Sequence, residues 1–257
     1  MNKKDITVIL VSSVIPSHPE TYIVEETIKS IRHHLPDSEI ILQIDGIREE
    51  QLHRKADYDE YISRMLWKCL HEYENILPIV FDEHSHQSTM MKKTVEFIRT
   101  PLILYVEADA PLVVDETIDW DACIEMIASE KANTIRFYHE AVVPAVHDWL
   151  MIDLVDNFLQ TYQWSQRPHL SSLRYYKQEI LKNIPEKTFI EDYVHGMVHE
   201  DYVVPWKKHG SKEGWNIHKL WIYYPSKTNS KRSYHLDGRN GLKKFTDDDI
   251  SWGLTDA

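Results

Sequence analysis

The chain has 257 residues, of which 42% are hydrophobic and 27% charged, and its formal net charge is −12. These values are ordinary for a globular protein with one large core, and the negative charge argues against a general nucleic-acid binder, which is usually basic. No apolar stretch approaches the roughly 20 residues that a membrane span needs, and the first residues fit a buried strand better than a signal peptide, so we expect a cytoplasmic protein.

Strand and helix patterns alternate along the first half of the chain at the spacing of βαβ units. Continuous apolar runs predict buried strands, and apolar residues at helical spacing predict the helices between them. In chain order the pattern predicts strand 6–11, helix 21–35, strand 39–44, a long helical region 49–73, strand 76–81, helix 88–98, strand 102–106, helix 120–129 and strand 134–138. The prediction is an α/β fold with a mostly parallel central sheet.

The second half is less regular and is rich in Trp, Tyr and His. It contains no repeat, no low-complexity tract and no clear linker, so we predict one domain over residues 1–257, in which residues 246–257 form a tail. Residues 205–245 carry ten Lys and Arg against two acids, a local charge of +8 beside an acidic remainder. Such a basic segment suits a diphosphate or another polyanion, or it is simply a solvated basic surface.

Glycine is scarce, and only Gly46 precedes Gly196. Neither glycine-rich phosphate-binding motif of nucleotide-binding proteins can therefore occur in the first three-quarters of the chain. If the protein binds a nucleotide, a metal ion and cationic side chains must neutralise its phosphates instead.

Two carboxylates follow the apolar run 102–106 directly, as Glu107-Ala108-Asp109. A buried parallel strand delivers its last side chains to the sheet edge at which ligands bind in α/β folds. Carboxylate oxygens placed there can hold a divalent cation against a diphosphate. The alternative is a strand end followed by a solvated acidic loop.

Five features occur in order along the chain: an apolar first strand that ends in Ser12, a second that ends in Asp45, the strand end 107–109, the pair Glu191-Asp192, and a late histidine, His235. In this order and spacing they resemble the GT-A-fold glycosyltransferases of family 2. The resemblance implies a nucleotide-binding αβα sandwich and an inverting enzyme whose donor is a nucleoside diphosphate sugar, UDP-sugars being the most common choice. It also implies a nucleotide-sugar-binding half at 1–110 and an acceptor-binding and catalytic half at 111–245.

The resemblance assigns a metal site to the strand end. It implies that Asp109 binds Mn²⁺ or Mg²⁺ and that His235 completes the metal shell, for which an imidazole is a suitable ligand. Glu107 stands where many members have Asp, so its longer side chain is expected to reach the ribose or to assist the metal indirectly.

The resemblance also assigns contacts with the nucleotide sugar. Asp45 is expected to contact the nucleoside, with an Asp-Gly turn as the alternative, and Ser12 to lie near the base or ribose. Arg239 is expected to contact the diphosphate, with Lys231 and Arg232 as further candidates. The loop 84–87, together with Lys93 on the helix after it, is another candidate for nucleotide contact.

Glu191-Asp192 resembles the acidic pair of inverting members, in which the Asp accepts the proton of the acceptor hydroxyl. A carboxylate close to a metal-bound diphosphate can act in this way. We therefore predict Asp192 as the general base, with Glu191 orienting it or contacting the acceptor. The alternative is that both are ordinary acids at a helix N-terminus, which the helix dipole favours.

The stretch 162–170 lies between the metal site and the predicted base. Trp and Tyr offer flat faces to a sugar or a base, and Gln, Arg and His offer hydrogen bonds. We predict that the acceptor is bound by Trp164, Gln166, Arg167 and His169. The alternative is an aromatic strand of the core.

Other functions remain open from the residues alone. A DNA glycosyltransferase acting on hydroxymethylated pyrimidines would use the basic segment and the 162–170 stretch on a flipped base, although the net charge of −12 opposes this. A nucleotidyltransferase would usually need the missing glycine loop. A metal-dependent hydrolase would use His195 and His199, but Gly196 stands where the catalytic Glu of such a motif belongs. A non-catalytic binding module would not need the predicted base. Otherwise the acceptor is a saccharide.

Overall fold

A nine-stranded sheet runs through the part of the chain that this computed structural model describes, namely residues 1–140, 143–204, 215–225 and 231–236. In chain order the strands are β1 (Ile6–Ser12), β2 (Ile40–Ile44), β3 (Ile76–Val80), β4 (Leu102–Glu107), β5 (Thr134–Phe137), β6 (Met151–Val155), β7 (Phe158–Thr161), β8 (His169–Ser172) and β9 (Leu220–Tyr223). Their order across the sheet is β3-β2-β1-β4-β8-β5-β9-β7-β6.

The first four strands are parallel to their neighbours, so their carboxyl ends lie at one edge of the sheet. Every residue of β1 and β2 is buried, which explains why both read as continuous apolar runs. β8 then pairs antiparallel with both β4 and β5 and makes the sheet mixed. The predicted α/β class with a mostly parallel first half is confirmed.

The helices connect these strands and cover the sheet. They are α1 (Tyr22–His34), α2 (Lys55–His71), α3 (His86–Thr94), α4 (Trp120–Ala128), α5 (Leu173–Tyr175), α6 (Ile190–Val198) and α7 (Trp215–His218). Shorter 3₁₀ segments occupy Glu49–Arg54 and Ala145–Leu150, and π-helical turns occupy Tyr176–Ile180 and His199–Val203. None of the described helices is long and apolar enough to cross a membrane.

Predicted and observed boundaries agree where an apolar face is buried. α1 buries Val24, Ile28 and Ile31, the positions that predicted it. The predicted helix 49–73 begins later, because the 3₁₀ segment Glu49–Arg54 buries no residue and the first buried side chain of α2 is Tyr58. Packing therefore stabilises an α-helix only after that segment.

The hairpin of β6 and β7 and the inserted strand β8 were not predicted. The two hairpin strands join the far edge of the sheet through β9, and β6 has no buried residue. β6 and β7 are short and partly exposed, and β8 is short and mostly polar in sequence, so all three lack the apolar run that marked β1 and β4. Residues 246–257, the predicted tail, lie outside the described residues.

Candidate active site

The carboxyl ends of β1, β2 and β4 meet in one pocket of about 210 Å³. Ser12, Asp45, Glu107 and Asp109 all line it, although they come from three separate strands. The N-terminal turn of α3 and Phe189, the residue before α6, close its other side. The parallel arrangement thus brings together four side chains that the sequence placed at strand ends.

Glu107 lies at the bottom of this pocket and is held by Gln87. The side-chain amide of Gln87 donates to Oε1 of Glu107 at 2.8 Å, and its carbonyl oxygen accepts from the backbone N–H of Ile190 at 3.3 Å. Gln87 therefore connects α3, the end of β4 and the start of α6. Burial, followed by the charge of Asp109, raises the pKa of Glu107 to about 8, against the opposing effects of Arg167 and the Gln87 bond.

Asp109 lies next to His235, far from it in the chain. Nε2 of His235 is 3.1 Å from Oδ2 of Asp109, and both side chains are partly exposed. The backbone N–H of Leu236 donates to the carbonyl oxygen of Asp109 at 2.6 Å, which fastens the segment 231–236 to the strand end. The two residues that the sequence proposed as metal ligands are thus neighbours.

Arg167 and Glu191 add further charges to this cluster. Burial lowers the pKa of the Arg167 guanidinium, while Glu107, Asp109 and Glu191 oppose that shift because they favour the cation. Glu191 also acts on the buried Arg136, whose pKa burial lowers to about 10. Glu140 acts on Arg167 in the same direction, so four carboxylates favour the cation of this one buried Arg.

The two acids at the start of α6 point in different directions. Glu191 is half-buried toward the cluster, whereas Asp192 is exposed. Successive helical residues are rotated by about 100°, so two adjacent side chains point in different directions. The structure thus separates the predicted pair, with Glu191 near the metal-site carboxylates and Asp192 open to solvent.

The carboxylate of Asp45 is occupied by the protein itself. It accepts from the backbone N–H of Gly46 at 2.9 Å, of Ser85 at 2.7 Å and of His86 at 3.1 Å, and Nδ1 of His84 lies 2.9 Å from Oδ2. These contacts hold the loop 84–86 against the sheet edge. The predicted nucleoside contact of Asp45 remains a prediction, and the geometry gives the residue a structural task as well.

The remaining predicted nucleotide contacts differ in position. Ser12 is buried in the pocket wall, where its hydroxyl and that of Tyr61 form a hydrogen bond of 2.6 Å. Lys93 does not line the pocket: it is exposed in the last turn of α3, about 10 Å along the helix from His86. Arg232 is buried and lies 3.8 Å from a carboxylate oxygen of Glu116, and its contact with a diphosphate stays a prediction. Arg239 lies outside the described residues.

Three of the four predicted acceptor-binding residues are in the core. Trp164 and Gln166 are each 2% exposed and His169 is 0% exposed. The ring of His169 stacks between Tyr105 and Tyr176, because β8 is inserted between β4 and β5. This burial favours the alternative of a core role for these three residues, and the predicted acceptor contact stays a prediction. Only Arg167 faces the charged cluster.

We compared the chain with known protein families, sequences and structures. No protein-family profile and no curated protein sequence matches the chain. Among solved structures, TarS 1-349 of S. aureus in complex with UDP-GlcNAc has a TM-score of 0.51 at 12% identity, over 89% of this chain and 58% of that one. GalNAc-T7 with UDP, GalNAc and Mn²⁺ has a TM-score of 0.52 at 11% identity, over 92% of this chain and 44% of that one.

The chain has a GT-A-type glycosyltransferase fold. The predicted resemblance is thereby confirmed at the level of the fold. This chain spans only about half the length of the proteins it matches.

Arg48 and His86 also line the pocket at the sheet edge. His86 has a φ of 61° and packs edge-on against Phe189, and burial lowers its pKa. His86 and Gln87 belong to the loop 84–87, which the sequence had offered as a candidate for nucleotide contact. Arg48 was missed in the sequence, although it follows the strand-end Asp45 by three residues.

The side chains around Asp109 supply only part of the ligands that a divalent cation needs. One carboxylate and one imidazole are suitable ligands for Mn²⁺. Within the ranges that the structure describes, no three His, Cys, Asp or Glu side chains form a group that could hold a metal ion. A cation at this GT-A site would thus need oxygen ligands from a bound diphosphate as well.

Proposed function

We propose that this protein is a metal-dependent glycosyltransferase that moves a sugar from a nucleoside diphosphate sugar to an acceptor hydroxyl with inversion. The observation that carries the proposal is the sheet-edge pocket, which Glu107 and Asp109 line at the end of β4, with His235 beside Asp109. The GT-A fold of the chain supports it, since TarS and GalNAc-T7 were solved with UDP-GlcNAc and with UDP, GalNAc and Mn²⁺.

The pocket residues have distinct tasks in this proposal. The nucleoside lies against Ser12 and the loop that Asp45 holds, between the ring of His86 and the end of β1. The diphosphate is contacted by Arg48 and, as predicted from the sequence, by Arg239. These cations take the place of the glycine-rich loop that the chain lacks.

Asp109 and His235 are the residues that would hold Mn²⁺ or Mg²⁺. When bound, the cation would neutralise the charge that develops on the departing diphosphate. Oε1 of Glu107 accepts a hydrogen bond from the side-chain amide of Gln87 at 2.8 Å. This favours a hydrogen-bonding contact with the ribose or the donor sugar over direct metal ligation.

Asp192 is the proposed general base. It is exposed and is the third residue after Phe189, which lines the sheet-edge pocket, here called the donor pocket, so an acceptor hydroxyl can reach it from solvent. Asp192 takes the hydroxyl proton, the acceptor oxygen forms a bond with the anomeric carbon, and the bond from that carbon to the diphosphate oxygen breaks. One displacement of this kind inverts the anomeric configuration. Glu191 positions Arg167 and the strand-end carboxylates.

A saccharide is the acceptor that we favour. The alternative of a flipped DNA base relied on the stretch 162–170, of which Trp164, Gln166 and His169 are buried. The basic segment 205–245 is the remaining feature that favours this alternative, and most of it lies outside the described residues. The net charge of −12 counts against a nucleic-acid acceptor.

A donor screen tests this proposal. UDP-, GDP- and other nucleotide sugars are incubated with the protein and Mn²⁺, Mg²⁺ or EDTA, and the release of nucleoside diphosphate is measured. We expect release with at least one donor, only with a divalent cation, and faster with oligosaccharide acceptors than with hydroxymethylated DNA. The product anomer is then determined by NMR. Absence of release with every donor, or a retained anomer, would contradict the proposal.

A further inference from the structure

A second cavity of about 440 Å³ lies beside α6, apart from the donor pocket. One wall is formed by the 3₁₀ segment Ala145–Leu150 and the end of β7, which contribute Trp149, Tyr162 and Gln163. The other wall is α6 with the following π-helical turn, which contributes His195, Gly196 and His199. We name this cavity the α6 groove. It shares no described lining residue with the donor pocket.

The α6 groove leads to the proposed base. Counted from Asp192, the groove residues His195, Gly196 and His199 follow at three, four and seven positions, which lie on one face of a helix. Asp192, His195, Gly196 and His199 are all exposed, as this shared face requires. Since Phe189 at the start of the same helix lines the donor pocket, α6 runs from the donor pocket along the groove.

Gly196 leaves the floor of the α6 groove open. Glycine in a helix interior destabilises the helix by about 1 kcal/mol relative to alanine. A Cβ atom built at Gly196 would have no neighbouring atom within 4 Å, so packing does not require glycine there. Glycine at position 196 therefore lowers the stability of α6, and packing does not explain it. Its effect is to leave space in the groove.

The side chains of the α6 groove are those that bind a sugar ring. Trp149 is 49% exposed and offers an indole face to the C–H face of a pyranose. Gln163, His195, His199 and Glu200 offer hydrogen bonds to hydroxyl groups around it. None of the described lining residues is Lys or Arg, which disfavours a phosphate backbone as the occupant.

We propose that the α6 groove is the acceptor subsite and binds a pyranose ring of a saccharide, stacked on Trp149 and accommodated over Gly196. The inference rests on the proposed function, because it assigns the acceptor of the same reaction. A hydroxyl of the bound ring lies toward Asp192, loses its proton to that carboxylate and forms the new bond to the anomeric carbon of the donor sugar. The diphosphate leaves with the electron pair of the broken bond.

Binding to a glycan array tests the subsite without any donor. The wild-type protein is compared with Gly196→Leu, which fills the groove from its floor, and with Trp149→Ala, which removes the aromatic face. Trp67→Ala is the matched control, because Trp67 is 54% exposed on α2 and lines neither the groove nor the donor pocket. Melting temperatures of all four proteins establish that they fold; Gly196→Leu should not melt lower, since leucine is the better helix former.

We expect the wild type and Trp67→Ala to bind at least one class of glycan, and both groove variants to bind it at least about tenfold more weakly, the equivalent of about 1.4 kcal/mol. Absence of glycan binding by the wild type would overturn the inference, as would unchanged binding by Gly196→Leu or equal weakening by Trp67→Ala. Nucleotide-induced stabilisation with Mn²⁺ is measured on the same samples. If it is absent while glycans bind, the proposed function fails; if it is present while glycans do not bind, only the subsite fails.

Discussion

The protonation state of His169 allows a quantitative test of the hydrogen bonds and ring stacking in the core beneath the site. Its ring lies 5.2 Å from that of Tyr105 and 5.7 Å from that of Tyr176, and it is fully buried. Nδ1 donates to the carbonyl oxygen of Arg167 at 2.7 Å, because a carbonyl only accepts, so Nε2 accepts from the hydroxyl of Tyr176. The folded core therefore uses the neutral ring.

The effect on stability follows from the pKa of this histidine. Burial lowers it from 6.5 to about 4, with the bond to Arg167 opposing the shift. Between these pH values the unfolded chain binds a proton that the folded chain does not, so stability is fully present above pH 6.5 and is lost as the pH falls toward 4. The free energy of unfolding changes by about 1.4 kcal/mol per pH unit. Over the interval from pH 6.5 to about 4 it therefore changes by about 3 kcal/mol.

His169→Phe keeps an aromatic ring in the stack but removes the titration. Near neutral pH the variant should be less stable than the wild type by about 1–3 kcal/mol, because the Arg167 carbonyl and the Tyr176 hydroxyl lose their partner. Urea unfolding at several pH values gives the difference between the two proteins. We expect that difference to fall by about 3 kcal/mol between pH 6.5 and 4, or to change sign. A difference that is constant over this range would refute the reasoning.

Three further predictions concern the site. Saturating UDP with Mn²⁺ should raise the melting temperature by roughly 5–10 °C, and Asp109→Asn should abolish the part of this rise that EDTA removes, as differential scanning fluorimetry would show. Gly46→Ala places a Cβ atom 2.1 Å from the backbone carbon of Glu83, so the facing loop must move; we expect a loss of about 1–3 kcal/mol in urea unfolding and weaker nucleotide binding in calorimetry. Asp192→Asn should bind the donor normally but transfer the sugar about 10²–10⁴-fold more slowly in a radiolabelled transfer assay. Glu191→Gln should retain more activity than Asp192→Asn. If Glu191→Gln is the slower variant, the two residues have the opposite roles.

The strands that carry the donor pocket could be predicted from the sequence because they are buried on both faces. Parallel strands such as β1 and β4 read as continuous apolar runs, and their last residues necessarily lie at the same edge of the sheet. The meeting of Ser12, Asp45 and Asp109 therefore follows from the pattern alone. The approach of His235 to Asp109 was inferred from a resemblance, because no local pattern encodes a contact between residues so far apart.

The acceptor side could not be predicted in the same way. Trp164 and His169 have a composition that suits either a sugar-binding surface or a core strand, and only the insertion of β8 between β4 and β5 favours the core. Likewise, Glu191 and Asp192 are equivalent in the sequence, and the register of α6 separates them. Trp149 carried no sequence signal, because its segment becomes one wall of a groove only when α6 packs beside it.

The charge balance of the pocket explains why we expect a cation in the reaction. Glu107, Asp109 and Glu191 act on one another and on Arg167, and the pKa of Glu107 is raised to about 8 in part by its two acidic neighbours. An anionic diphosphate entering this region would meet the same repulsion that already favours a proton on Glu107. Arg167 is nearly buried and is shared among these three carboxylates and Glu140, so it is poorly placed to compensate for the ligand as well. Under the proposed function, the compensating positive charge would come from Arg48, from the basic segment 205–245 and from a metal ion at Asp109 and His235.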